Sequence, residues 1–143
     1  MPLDFDRLPA GWAHQIRQAS LAGLLHTLQD GMQLQIRTRV SAVKSAGKSS
    51  LRAGQRVSVH QPELREWWRH RADAAGLRMN DDLGWEASRE NMICSSTGAA
   101  WAPAIVEGIA AVTSAEALST AIIDGVGKAR AYGFGLLSAR PMA

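Results

Sequence analysis

Hydrophobic and polar positions alternate most regularly over residues 33–43, QLQIRTRVSAV, where Leu34, Ile36, Thr38 and Val40 fall on one side and Gln33, Gln35, Arg37 and Arg39 on the other. A period of two with β-branched residues is the pattern of a half-buried strand. Upstream, Pro2 and Pro9 punctuate a loosely patterned start in which 13–18 predicts a short strand. Leu21, Leu24, Leu25 and Leu28 then share one helical face that Gly31 ends. Residues 44–61 are rich in Ser, Gly and basic side chains and predict a long loop, with Val57 and Val59 as a brief extended piece; loops of that length are uncommon without a purpose. Gln61-Pro62-Glu63 opens a helix carrying Leu64, Trp67, Trp68, Arg71 and Ala75, which Gly76 closes. Trp67 and Trp68 are neighbours on that helix and point about 100° apart, so one is assigned to the core and the other to an interface. Two strands, 85–95 and 101–112, are joined by STGAA, with Pro103 weakening the second. Ser114 caps a helix containing Ala117, Leu118, Ala121 and Ile122, and Thr113 stands at capping-box spacing from Glu116. Residues 134–138 predict the last strand.

From Gln33 onward the order is strand, helix, strand, strand, helix, strand. That is the split βαβ, or ferredoxin-like, α+β arrangement: a four-stranded antiparallel sheet with two helices on one face. The other face is left free for a ligand, as in many readers of single-stranded RNA. No internal repeat or low-complexity tract interrupts the chain.

Charge changes this picture through its distribution more than its sum. Sixteen Lys and Arg against thirteen Asp and Glu leave a net charge of only +3, which alone implies no nucleic-acid partner. Arg37, Arg39, Lys44, Lys48, Arg52 and Arg56, however, occur between Gly31 and Pro62 with no carboxylate among them, and Lys128, Arg130 and Arg140 form a second acid-free segment. The lone Cys94 has no Cys or His at metal-site spacing. No window nears the roughly 18 apolar residues of a membrane helix, and MPLDFDRLPAGW lacks the layout of a signal peptide, so a cytoplasmic protein with no membrane partner and no cofactor is expected.

The remaining signal is GVGKARAYGFGLLSARP, beginning at Gly125. Glycines permit positive φ and close approach, so such a loop flanked by Lys128 and Arg130 can hold a polyanion against exposed amides of Gly125 and Gly127. A dinucleotide loop follows a strand and precedes a helix, the reverse of this context, and GVGKAR lacks the Walker ending. Alternatively, the glycines only make a tight turn.

AIIDGVGKARAYGFGLLSARP resembles the C-terminal signature of the CRISPR-associated CasE family, the repeat-processing endoribonuclease subunit of type I-E Cascade and a member of the RAMP superfamily. RLPAGWAHQIRQASLAGLLHTLQDGMQLQIRTRVSAVKS is similar to that family's middle region and PELREWWRHRADAAGL to its following helix, so the resemblance spans roughly residues 7–141. It implies two RAMP/RRM-like domains: 1–31 as a remnant of the first and 32–143 as a ferredoxin-like RNA-binding domain. It also implies that the family's catalytic His and Tyr segment is missing from this chain. The hairpin of 85–111, which in the family presents basic residues to an RNA stem, departs from that pattern here, with Arg89 near its start and nothing basic at its tip. His14, His26, His60 and His70 do not fall at the family's catalytic position, so no catalytic residue is nominated. The expected RNA-binding set is Gly125, Gly127, Lys128, Arg130, Arg37, Arg39, Lys44, Lys48, Arg52 and Arg56, with Tyr132 either packing or stacking on a base. Three functions stay open. The first is a truncated protein that binds the CRISPR repeat RNA hairpin or other Cascade subunits without cutting. The second is a solitary competitor that inhibits CRISPR immunity, and the third is one part of a split, metal-independent endoribonuclease. An edge exposed by truncation is expected to pair with a missing N-terminal domain chain or with a second copy.

Overall fold

The computed structural model describes residues 20–45, 56–98, 100–127 and 130–142. The expected strand over 13–18, most of the N-terminal remnant, His14, Lys48, Arg52 and Lys128 lie outside the described residues.

The chain's most regular strand is β1 (Gln33–Ser41), which buries Leu34, Ile36, Thr38 and Val40 and exposes the alternate residues. Ahead of it, α1 (Ala22–Thr27) lays Leu24 and Leu25 partly against the core that Leu28 enters, while Leu21 remains exposed. At the described ends of the expected 44–61 loop, the extended piece at Val57 has a partner strand that the loop expectation does not include. β2 (Val43–Ser45) and β3 (Arg56–Ser58) form an antiparallel ladder, anchored where the Val59 N–H donates to the Ala42 carbonyl and the Ala42 N–H to Ala102. Val57 and Val59 are the trace of that ladder in the sequence.

α2 (Gln61–Ala74) carries Pro62 in its first turn and buries Leu64, Trp68 and Ala72. Trp68 is the core tryptophan, at 0% exposure. Trp67 is half-buried, and its Nε1–H donates to the Val43 carbonyl at 3.2 Å. After Gly76 comes β4 (Leu77–Met79), a short strand that periodicity does not predict, then a turn in which Asn80 Oδ1 accepts from the Asp82 and Leu83 amides. β5 (Trp85–Arg89) follows, and the next ladder is β6 (Ile93–Cys94) with β7 (Ala100–Trp101). Both β4 and β5 pair with β8 (Pro103–Val112), β4 at Val112 and Ala110, β5 from Gly108 to Ala104. They share one neighbour along its length and so act as a single interrupted strand. Gly108 makes the passage of β5 possible: its φ is 148°, and a Cβ there would sit 2.3 Å from the Cβ of Trp85. The strand expected to reach residue 95 therefore ends at Arg89, and the rest of the hairpin is the separate β6–β7 ladder. Pro103 stands first in β8, where a missing N–H is tolerated, and its carbonyl accepts from the Glu90 amide.

α3 (Ala115–Asp124) begins as expected, with Ser114 Oγ accepting from the Ala117 amide at 3.2 Å. The second cap is Asp30, whose Oδ1 accepts from the Ala115 amide at 2.8 Å; Thr113 takes no such part. The last strand, β9 (Leu137–Pro141), starts later than the expected Phe134 because Phe134 and Gly135 belong to the neck of the preceding loop. β9 pairs with β1, β1 with β8, and β8 with β4 and β5, all antiparallel. This is the ferredoxin-like order, with α2 and α3 burying Leu64, Trp68 and Leu118 against one face.

One side-chain cluster fastens the turn between β4 and β5 to α2. Asp81 Oδ1 accepts from Trp85 Nε1 at 2.8 Å and Arg69 at 2.9 Å, and the Arg65 guanidinium lies 3.8 Å over the Trp85 ring. The hydrogen bond from Trp85, then that from Arg69, holds the Asp81 carboxyl below its ordinary value. A depressed folded pKa adds stability above the unfolded value and loses it as pH falls through the folded one. Urea midpoints of the wild type and Asp81→Asn are expected to differ at neutral pH and converge below about pH 4; a constant gap across that range would contradict the assignment.

Candidate nucleic-acid interface

The glycine loop is closed at its neck. The Gly135 carbonyl accepts from the Val126 amide at 2.8 Å, and the Gly135 amide donates to the Arg39 carbonyl on β1 at 2.7 Å. Within the loop a short 3-10 turn, Arg130–Tyr132, puts the Arg130 guanidinium on the Asp124 carbonyl at 3.1 Å, where a cation offsets the partial negative charge of a helix C-terminus. The Gly125 amide is committed to the Ala121 carbonyl as the end of α3. Gly127 donates to no described residue, so the backbone contribution expected from both glycines is confined to one of them.

One cleft adjoins this loop on the helix side of the sheet and two more lie against the β2–β3 ladder, and Arg71 lines all three. One of about 230 Å3 holds Gly125, Gly127 and Arg130 between the C-terminal ends of α2 and α3. One of about 240 Å3 is lined by Lys44, Ser45 and Arg56 from the β2–β3 ladder. The third, about 390 Å3, adds Trp67 and His70. With Arg71 common to them, they make one groove from the glycine loop to the ladder. The guanidinium of Arg71 lies 5.3 Å over the Trp67 ring, one helical turn back. Neither Arg71 nor Arg56 has a carboxylate partner among the described residues, and Asp124 is the one acid among the lining residues. Lys44 is paired with Glu63, and that hydrogen bond lowers the Glu63 pKa.

The basic run of β1 goes elsewhere. Its period of two turns Arg37 and Arg39 to the open face of the sheet, away from α2 and α3. There Arg37 lies 3.7 Å from Glu107 of β8, and Arg39 meets Glu90 at 2.6 Å while crossing Phe134 at 5.5 Å. The described cations of the 31–62 run, expected together, therefore divide between two faces: Arg37 and Arg39 on the open one, Lys44 and Arg56 at the groove. On the open face Arg37 and Arg39 are met by acids from distant parts of the chain, while Arg140, opposite Gln35, donates to the Gln35 side chain and borders a cleft with Arg37. Arg71, Arg56 and Arg130 line the helix-side groove with no carboxylate partner among the described residues. No aromatic ring stands on that open face at the described positions of β1, β8 or β9, unlike the stacking platform of a sheet-face RNA reader.

In the sequence Arg71 stands out only as part of the periodicity of α2. Its place four residues after a half-buried tryptophan, on a helix rich in basic residues, is the signal that could have singled it out. Tyr132 is 69% exposed and meets Trp101 at the end of β7, with ring centroids 5.1 Å apart. His26, His60 and His70 are all exposed. His70 borders the groove, with Glu66 as its acidic neighbour at 3.5 Å. No group of three or more His, Cys, Asp or Glu able to hold a metal occurs among the described residues, and no described helix is long and apolar enough to cross a membrane.

Comparison with solved structures gives the fold relatives. Cse3 of Thermus thermophilus, in a structure bound to an RNA representing a pre-cleavage complex, is 25% identical with a TM-score of 0.70, over 80% of this chain and 56% of Cse3. Cas6e of Escherichia coli str. K-12 is 21% identical with a TM-score of 0.66, over 88% of this chain and 66% of Cas6e. A chain of a CRISPR RNA-guided surveillance complex is 23% identical with a TM-score of 0.64, over 99% of this chain and 71% of that one. The chain thus spans a little over half the length of Cse3. Among curated proteins nothing matches the sequence. A model of the family described as CRISPR associated protein matches residues 4–141, and with the fold of Cse3 and Cas6e over most of its length, the chain belongs to that family and is CasE-like.

Proposed function

We propose that this chain binds the stem of a CRISPR repeat RNA by its sugar-phosphate backbone, in the groove from the glycine loop to the β2–β3 ladder, and holds that RNA without cutting it by itself. The observation that carries this reading is Arg71: a cation with no carboxylate partner among the described residues, at the junction of three clefts whose other such lining cations are Arg56 and Arg130. A groove of cations on a helical surface suits the regularly spaced phosphates of a duplex, which carry position but little sequence information. The RNA-bound state of Cse3 supports the same ligand class.

Holding is favoured over cutting by the histidines. Attack by a 2′-hydroxyl needs a base for the nucleophile and an acid for the leaving oxygen. Of the described histidines, His70 alone reaches the groove, exposed beside Glu66.

The test is binding of a repeat-derived RNA hairpin across a range of salt. Arg71→Glu with Arg56→Glu is expected to weaken binding by at least about tenfold, and to reduce the slope of log K against log salt by about one unit for each phosphate that is no longer neutralised. Arg37→Gln, on the open face, is expected to do far less. An unchanged slope in the double variant refutes the groove, and specific cleavage of the hairpin by this chain in chelator refutes the non-cutting role.

A further inference from the structure

The loop that borders the groove continues past it to an aromatic pair that the backbone-binding reading leaves unused. Tyr132 closes the 3-10 turn that begins at Arg130, and Trp101 ends the ladder of β6 and β7. Their rings meet at 5.1 Å with planes inclined by 55°. That contact joins two segments remote in sequence, yet the tyrosine ring stays largely in water. The two segments also carry Met92, Ile93 and Leu136, all exposed. A tyrosine recruited for packing would be covered by it; this one is braced from one side and left open on the other.

We propose that Tyr132, braced by Trp101, is a stacking platform for an unpaired nucleobase of the bound RNA, the first one beyond the stem held in the groove. The occupant follows from continuity. Arg130 lines the groove, and Tyr132 comes two residues later in the same turn, about 4 Å along its axis. An RNA strand whose phosphate is at Arg130 thus has an adjacent nucleotide within reach of the Tyr132 ring. Arg130 spends one of its donors on the Asp124 carbonyl and keeps the others of its guanidinium for a phosphate. Every base has a π-face, so stacking of this kind selects unpaired over paired nucleotides with little regard to sequence. The proposal rests on the groove holding the stem, and adds that the ligand is a hairpin with a single-stranded flank.

The experiment uses the full chain with two probes: a repeat-derived RNA hairpin with blunt ends, and the same hairpin carrying 2-aminopurine in a short unpaired flank, placed on each side in turn. On one side the fluorescence is expected to be quenched by the wild type and by Tyr132→Phe. Tyr132→Ala and Trp101→Ala are expected to lose the quenching and bind the flanked hairpin about tenfold more weakly, while binding the blunt hairpin like the wild type. Tyr132 is exposed and Tyr132→Phe keeps the ring, so a folding defect does not imitate this result. Quenching that survives both alanine variants overturns the platform. So does an equal loss on both RNAs, which makes the pair part of the stem site, or alanine variants that spare both RNAs and disrupt association with a second protein, which makes it a protein-docking surface. The groove reading fails separately, if Arg71→Glu with Arg56→Glu leaves the blunt hairpin unaffected.

Discussion

Replacing Trp68 with alanine is expected to destabilise the protein by about 3–5 kcal/mol, a large part of the roughly 5–15 kcal/mol that holds a domain of this size together. The indole is fully buried in the core that also contains Leu64, Leu34, Ile36 and Leu118. It is the largest side chain joining α2 to the sheet, so its removal leaves a cavity that neither the helix nor β1 can close without disturbing the packing around it. Its Nε1 has no hydrogen-bond partner among the described residues, so Trp68→Phe forfeits only volume and is expected to lose much less. Urea unfolding followed by circular dichroism separates the two. A loss below about 1 kcal/mol for the alanine variant would mean that α2 does not sit on the sheet in this register. Trp67→Ala, which removes a half-buried ring and one bond to Val43, is expected to fall between them and to loosen the β2–β3 side of the groove.

Gly135→Ala is expected to cost about 2–4 kcal/mol and to weaken RNA binding even where the protein remains folded. The residue has φ 84°, where a side chain is strained by about 1–2 kcal/mol, and its added methyl would lie 2.2 Å from the Val126 carbonyl oxygen. The neck must open to accept it, which breaks the Val126 to Gly135 hydrogen bond and pulls on the one to Arg39. Gly127→Ala is the matched control: its φ is 80°, but nothing lies within 4 Å of the added methyl. It is expected to show the backbone strain alone, about half the loss. Equal destabilisation by the two variants would show that the neck does not hold the loop. Because the neck ties Arg130 and Gly127 to β1, thermal melts and hairpin affinity are expected to fall together for Gly135→Ala.

Much of this architecture is legible in short-range periodicity. The alternation of β1, the Leu64 and Trp68 face of α2, and the Ser114 cap of α3 are encoded by residues within a few positions of one another, and each forms where the pattern places it. β4 escapes because three residues after Gly76 are too few to show a period; it is a strand only because β8 is long enough to pair with it beyond Trp85. The start of β9 is misplaced because Phe134 and Leu137 are both apolar and both buried, and nothing local says that the Gly135 backbone is already engaged.

By itself the sequence determined the ferredoxin-like order of elements, the family signature in the glycine loop, and the presence of cations near both. Only the tertiary structure decided which of those cations are free. Whether an arginine keeps its charge for a ligand depends on the carboxylate opposite it, and for Arg37 and Arg39 those carboxylates, Glu107 and Glu90, arrive through strand register from distant parts of the chain. Arg71 is left unpaired and carried to the groove by the same non-local packing. Local pattern sets which face a side chain takes, but the sheet's register and the seating of α2 set what that face meets.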